Sequence, residues 1–399
     1  MIPVLAVFID GLKPESLIYM EFLDTLYKAR LKTELGAYSP ACDTSIYTGV
    51  FVKKHLCWFT WKRSPTTSPF KILNKLRIAY LPHNVYSKYA CYKACLWLSR
   101  ATNPAIFGFS VFASLPMRCW AHFDTDIKKP WSEPSYYNGY PNLFKILETH
   151  EVLFEVVGAK ARDLPDSSKV VKKHSPRREV MFLNYFIGDV DHLSHEHGQE
   201  SSETVKRLKV IDEILHEKYT KFEKMFNDFY FIVFSDHGHS NVEDVVNLEE
   251  IFRKRKKKLQ NYIHFIDSNY ARFWFRSLEE EEEVRKVLSE LEDKGFILTE
   301  EHLKKYHAEM PDKRYGDLIF YLDKPSVFFG KEISALGRRV SAPVSMHGYL
   351  PDYRDSDGVL VSNKKLKKSI AILQDIAPSI LQALGLRVPD YMDGEPIWR

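Results

Sequence analysis

The feature that most constrains this chain is a rhythm of short apolar runs. VLAVFI at residues 4–9, VMFLNYFI at 180–187 and FYFIVF at 229–234 are separated by stretches with helical periodicity. Runs of this length with little polar alternation suit strands buried on both faces. Their alternation with helices is the pattern of a mainly parallel central sheet with helices on both faces, an α/β fold. The expected strands are Pro3–Ile9, Lys32–Ala37, Val152–Val157, Val180–Ile187 and Phe229–Phe234. The expected helices include Pro14–Ala29, opened by a proline suited to a first helical position, Ala41–Thr48 and Ser202–Met225. Two stretches interrupt the rhythm. Residues 56–135 are dense in Trp, Tyr, Phe, Cys and Pro, and read as an aromatic-rich cap inserted into the core. Residues 261–330 carry NYARFWFRS, a helical pattern over Glu282–Lys294 and DLIFYLDKPSVFF, and read as a small α+β insertion. The core would then be assembled from 1–55, 136–260 and 331–399.

Composition narrows the function classes. The 57 basic and 53 acidic side chains nearly cancel, and no RNP box, zinc-finger spacing or sustained basic stripe is present, so no nucleic-acid-binding module is expected. RKRKKK at 253–258 and the lysines of 364–368 read as solvated helix faces or ends. Five cysteines at irregular spacing do not make a disulfide framework; reduced thiols and a cytoplasmic setting fit them better. The N-terminus lacks the basic region and cleavage site of a signal peptide, and its apolar run is too short to cross a bilayer. Ala101–Met117 is uncharged but broken by Pro104, Gly108 and Pro116; it is a poor transmembrane segment, though peripheral membrane contact or an apolar pocket lining is open to it.

In doubly wound sheets, ligands bind beyond the carboxyl ends of the strands. Here VLAVFI ends in Asp10 and Gly11, LKTELGAY in Ser39 and Pro40, FLNYFI is followed by Asp191 and His195, and FYFIVFS by Asp236, His237 and Gly238. One such terminus is ordinary, because aspartate caps helices well. Four that combine Asp, His and Ser make a site the better reading. Two divalent ions held by Asp oxygens and His nitrogens can clamp a phosphoryl group, activate a hydroxyl and neutralise a leaving oxygen. Ser39 would sit at the N-cap of the helix over Ala41–Thr48, where exposed N–H groups and the dipole favour a phosphate; a lone Ser-Pro, however, is more often only a cap. The spacing of Asp191 and His195 puts both on one face if a helix begins there. Asp189 shares strand parity with Asp191, so alternation does not choose between them. His192, His197 and His239 are either outer donors or solvated loop residues.

These residues stand in ordered motifs that resemble the alkaline phosphatase superfamily, and within it the type I phosphodiesterase/nucleotide pyrophosphatase branch. FIDGL resembles the first metal-aspartate motif. TGVFVKKH at 48–55 resembles the branch's TGxxPxxH, with Val52 in the proline position. DHLSHEHG resembles DxxGHxxG with Ser194 replacing glycine, SDHG matches directly, MHGY at 346–349 supplies a last histidine, and DIAPSILQALGLRVPDYMDGEPI looks like the closing helix and MDG loop. The resemblance implies that Asp10, Asp236 and His237 hold one ion, which also takes the Ser39 oxygen, and that Asp191, His195 and His347 hold the other. Counting back from Thr48 and Gly49 puts the family's nucleophile on Ser39. Pro40 follows one residue early for the family pattern, so Thr44 and Ser45 stay open as alternatives.

The expected function is thus a hydrolase of phosphodiesters or pyrophosphates. It would act on a small-molecule substrate through a phosphoseryl intermediate with two divalent ions, zinc or else manganese. No CxPxR segment accompanies the nucleophile, which disfavours the sulfatase branch, and the single Asp10 leans toward diesters. A phosphomonoesterase or phospho-group transferase is the nearest alternative; a metal-bearing binding protein without catalysis is the alternative of a different class. CWFTW at 57–61 would pack the cap or stack a base, and Lys53, Lys54 and His55 would meet a phosphate or merely end a helix.

Overall fold

In a computed structural model, which describes residues 1–36, 38–78, 84–99, 117–160, 166–329 and 342–398, the apolar runs become the centre of a seven-stranded sheet. Its strands are β1 (Val4–Ile9), β2 (Tyr27–Lys32), β3 (Phe154–Val157), β4 (Phe182–Ile187), β5 (Tyr230–Phe234), β6 (Gly358–Ser362) and β7 (Ile370–Ile372). The order is β7-β2-β6-β5-β1-β4-β3. Only β6 runs against its neighbours, pairing antiparallel with both β2 and β5, while β1 pairs in parallel with β4 and β5.

Alternate residues of β1 serve opposite faces. Val4, Ala6 and Phe8 join one apolar cluster with Cys42, Ile46, Leu147 and Ile380; Leu5, Val7 and Ile9 join another with Leu208, Ile211, Leu215 and Phe222. The first face is covered by α1 (Ser39–Thr48) and the C-terminal helix Ile376–Ala383, the second by the long helix Ser202–Met225, whose bounds agree with the sequence expectation. Burial on both faces explains why these strands read as continuous apolar runs.

Two expectations fail in the same place. Pro14–Ala29 is not one helix: a 3-10 turn at Pro14–Tyr19 and a single helical turn at Glu21–Asp24 give way to β2. The strand expected at Lys32–Ala37 is correspondingly displaced, with only Lys32 in β2 and Thr33–Gly36 in an irregular connection. Ladder pairing decides the matter. Ala29 and Leu31 point into the core opposite Leu360 and Gly358, and that burial overrides the helical periodicity of the segment.

The interruptions have their own structure. A four-stranded antiparallel sheet, in the order Ile263–Asp267, Tyr270–Trp274, Leu318–Leu322, Gly295–Ile297, carries the helix Leu278–Leu288, shorter and earlier than the periodicity of 282–294 implied. Phe265 and Trp274 of this sheet pack against Trp61, Phe70, Tyr92, Cys95 and Trp120, so the aromatic-rich segment rests on the small sheet. All but the last residue of Ala101–Met117 lies outside the described residues. No helix among the described residues is long and apolar enough to cross a membrane.

Candidate active site

Adjacent parallel strands deliver the site. Asp10 follows β1; α2 (Asp189–His197) follows β4 and presents Asp191 and His195 one turn apart; Asp236, His237 and His239 follow β5. His347 arrives from far along the chain through a short antiparallel ladder in which Ser240 pairs with Met346 and Asn241 with Ser345. That ladder sets His239 and His347 side by side. The chain can pass Asp10 only because Gly11 has no side chain: it adopts φ +71°, and a Cβ there would meet His239 Nε2 at 2.9 Å and Asp191 Cα at 3.1 Å. Gly11 also donates its N–H to Asp236 Oδ1 at 3.2 Å, while its carbonyl accepts from Gln199 Nε2 at 2.6 Å.

The donor atoms fall into overlapping groups, each with ligand atoms within 4.8 Å of one another: Asp10, Asp236 and His237; Asp191, His195 and His347; and Asp191, His237 and His239. His237 Nε2 lies 3.2 Å from Asp236 Oδ2 and 3.6 Å from Asp10 Oδ1. Around Asp191 Oδ1 stand the Nε2 atoms of His239 at 2.9 Å, His195 at 3.3 Å and His347 at 3.8 Å. Burial, reinforced by Asp236, Asp191 and Asp43, raises the Asp10 pKa well above the usual carboxylate range; burial also pushes Asp236 up to about 7. Asp191 moves the other way, since hydrogen bonds to His195 and His239 outweigh its burial. Burial drives His237 down to about 3 and His347 well below the ordinary histidine value. Asp10 Oδ1, Asp236 Oδ2 and His237 Nε2 are buried without a hydrogen-bond partner among the described residues. Mutually repelling carboxylates, uncharged imidazoles and orphaned ligand atoms are what a cation would satisfy, and the mixed oxygen and nitrogen donors suit zinc or manganese.

Ser39 is the first residue of α1 rather than its cap; Tyr38 is the N-cap. The first turn closes on Tyr38, whose carbonyl accepts from the amides of Ala41 and Cys42 at 2.9 and 3.1 Å. With Pro40 lacking an N–H, the free amides expected for a phosphate reduce to that of Ser39 itself. Neighbours on both sides of Ser39 touch the donor cluster: the Tyr38 ring lies 5.7 Å from the His347 ring, and Asp43, one turn further on the same helix face, acts electrostatically on Asp10 and Asp236. The alternative hydroxyls are committed elsewhere. Thr44 Oγ1 donates to Pro40 O at 2.8 Å, and Ser45 donates to Glu34 Oε2 at 2.6 Å. His55 accepts the Cys57 N–H at Nδ1, so its protonated Nε2, 2.9 Å from Ser45 Oγ, is a donor to that hydroxyl rather than a base for it.

The neighbouring polar and aromatic residues separate cleanly. Asp189 is buried and turned away from the cluster, accepting from Ser167 Oγ at 2.7 Å, Ser168 N at 3.0 Å, Ser168 Oγ and Arg207. His192 and His197, with side chains 45% and 41% exposed beside Glu196, are solvated. Lys54 and the Phe51 amide bind Asp393 of the MDG loop at 2.6 and 2.9 Å, so TGVFVKKH docks the C-terminal tail. Trp58 and Phe59 are buried, Trp58 Nε1 donating to Leu35 O at 2.7 Å. Asp43 and Ser345 were not singled out by the sequence, although Asp43 stands four residues after Ser39, a spacing that could have revealed it.

The type I phosphodiesterase / nucleotide pyrophosphatase family matches residues 4–350. No curated protein sequence matches the chain significantly. Among solved structures, human ectonucleotide pyrophosphatase / phosphodiesterase 5 superposes with a TM-score of 0.68 at 12% identity, covering 98% of this chain and 97% of that one. The murine protein of the same name gives 0.66 at 13% identity, with 97% and 96% covered. An inactive variant of it in complex with AMP gives 0.64 at 13% identity, with 98% and 96% covered. These likenesses establish the fold, an α/β fold with a mainly parallel central sheet. The match over nearly the whole chain establishes the rest: the protein belongs to the type I phosphodiesterase / nucleotide pyrophosphatase family, enzymes that hydrolyse phosphodiester bonds.

Proposed function

We propose that the protein is a metal-dependent phosphodiesterase or nucleotide pyrophosphatase acting through a phosphoseryl intermediate. The observation that carries this reading is the pair of donor groups at one sheet edge, with Asp10 Oδ1, Asp236 Oδ2 and His237 Nε2 buried and unpartnered. Asp10, Asp236 and His237 would hold one divalent ion together with the Ser39 oxygen; Asp191, His195 and His347 would hold the other. When bound, two such ions, zinc or alternatively manganese, supply charge neutralisation to the phosphoryl oxygens and acidify a coordinated hydroxyl. Ser39 Oγ forms a bond to phosphorus as the bond to the leaving oxygen breaks, and water then cleaves the phosphoseryl ester and regenerates the hydroxyl. The positive end of the α1 dipole faces the phosphoryl group. Tyr38, half-buried beside His347 and backed by the buried rings of Phe59 and Tyr270, is the aromatic face on which a nucleoside base can stack. The neighbour solved with AMP supports a nucleotide-like substrate. The described parts of 56–135 and 261–330, which pack on each other through Trp61, Trp120, Phe265 and Trp274, would roof the site and select the leaving group. A cytoplasmic setting rests on five free cysteines.

The test is turnover of p-nitrophenyl phosphate, bis-p-nitrophenyl phosphate and a dinucleotide after chelation, with zinc or manganese restored. Diester cleavage that returns with metal is expected. Faster monoester turnover would overturn the diesterase reading, and metal binding without any turnover would favour a binding protein.

A further inference from the structure

Three imidazoles, not two, surround Asp191. His239 Nε2 stands at 2.9 Å from Asp191 Oδ1, nearer than His195 or His347, and its side chain is fully buried. One residue orients two of the rings. The Ser345 carbonyl lies 2.9 Å from His195 Nδ1, and the Ser345 hydroxyl 3.2 Å from His239 Nδ1. When each Nδ1 carries its proton and donates to Ser345, each Nε2 keeps its lone pair and aims it toward the same carboxylate oxygen. Anchoring the far nitrogen in this way is what fixes an imidazole as a metal ligand. The Ser240–Met346 ladder holds His239 and His347 in register, and Gly11 leaves the space that the His239 ring occupies. Backbone, tautomer and packing thus converge on His239 as they do on His195.

We propose that His239 is a ligand of the ion held by Asp191, so that this site offers four protein donors, Asp191, His195, His239 and His347. The inference rests on the two-ion reading above and deepens it. Its consequence is a division of labour. A fourth protein donor would leave an ion at Asp191 little open coordination, so that it would be held firmly and act chiefly through its charge. The Asp10, Asp236 and His237 site, with three protein donors, keeps a position for the Ser39 oxygen.

The experiment uses the full chain, stripped with chelator and reloaded with zinc or with cobalt as a spectroscopic probe. Wild type, His239→Ala and His239→Gln are compared by metal content after desalting, by competition with a chromophoric chelator, and by visible absorption of the cobalt form. Circular dichroism of the stripped proteins checks folding, and His239→Gln serves if the alanine variant does not fold. Two ions per wild-type chain are expected. In the variants one ion should be weakened at least tenfold, with altered cobalt absorption, and free imidazole should restore the affinity of His239→Ala. Two ions bound by both variants with wild-type affinity and spectrum would overturn the inference while leaving the two-ion reading intact. A wild-type chain that takes up no ion would overturn both.

Discussion

At the scale of single residues, the hydroxyls of α1 divide by what they touch. Ser39 Oγ makes no hydrogen bond to the described residues, whereas Thr44 and Ser45 are satisfied inside the core. Ser39→Ala is therefore expected to lower diester turnover by roughly three orders of magnitude or more while leaving zinc content at the Asp191 site unchanged, as metal analysis would show. Ser45→Ala should instead cost about 1–3 kcal/mol of stability in denaturant melts, because Glu34 loses a buried donor. His55 gives a signed pH dependence. Burial lowers its pKa to about 3, well below the unfolded value, so its contribution to stability is complete above about pH 6.5 and declines as pH falls toward 3. Between pH 7 and pH 5 the wild type should lose about 2 kcal/mol more than His55→Gln in urea melts; equal losses would refute the assignment. That Asp10, Asp191, His195, Asp236, His237 and His347 come together was legible in the sequence because each belongs to a motif placed at or near a strand end. The part played by Ser345 was not, because its importance lies in which neighbours the fold gives it; Asp43 could have been drawn only from its helical spacing after Ser39.

At the scale of elements, the loops after β1, β4 and β5 work as one assembly, and Gly11 is the point where all three meet. Gly11→Ala adds a Cβ into His239 and Asp191 at a left-handed backbone position. It should lower stability by about 1–3 kcal/mol and weaken metal uptake, measurable by melting and by chelator competition. A fully active, normally loaded Gly11→Ala would show that the loop can yield. Strands buried on both faces declare themselves through unbroken apolar runs, which is why β1, β4 and β5 were legible to within a residue or two. β2 and β7 were not, because they lie toward an edge of the sheet and their pairing is decided by partners far along the chain. The helical periodicity of 14–29 was real as a pattern, yet ladder pairing with β6 overruled it.

At the scale of the whole molecule, the aromatic segment and the small sheet are joined around Arg272. This guanidinium is fully buried, pairs with Asp267, donates to Trp61 O at 2.7 Å and lies 4.3 Å from the Phe59 ring centroid. Arg272→Met should destabilise the protein by about 3–5 kcal/mol, as expected when one partner of a buried ion pair is removed. If the site shares in that loss, the Michaelis constant for diesters will rise as well, since Tyr38 is tied to Asp267 O and Asn269 Oδ1 at 2.5 and 2.8 Å. Metal removal has a global signature too. Each ion present at a hundredfold excess over its dissociation constant adds about 2.7 kcal/mol, so chelation should lower the melting temperature and zinc should restore it; an unchanged melt would count against both sites. The two-residue ladder that brings in His347 has a last consequence. The first donor group is complete by residue 237, but the second waits for chain that emerges more than a hundred residues later. During synthesis a growing chain can therefore carry half of the donor set, and loading of both proposed ions would certify that the C-terminal part has come home.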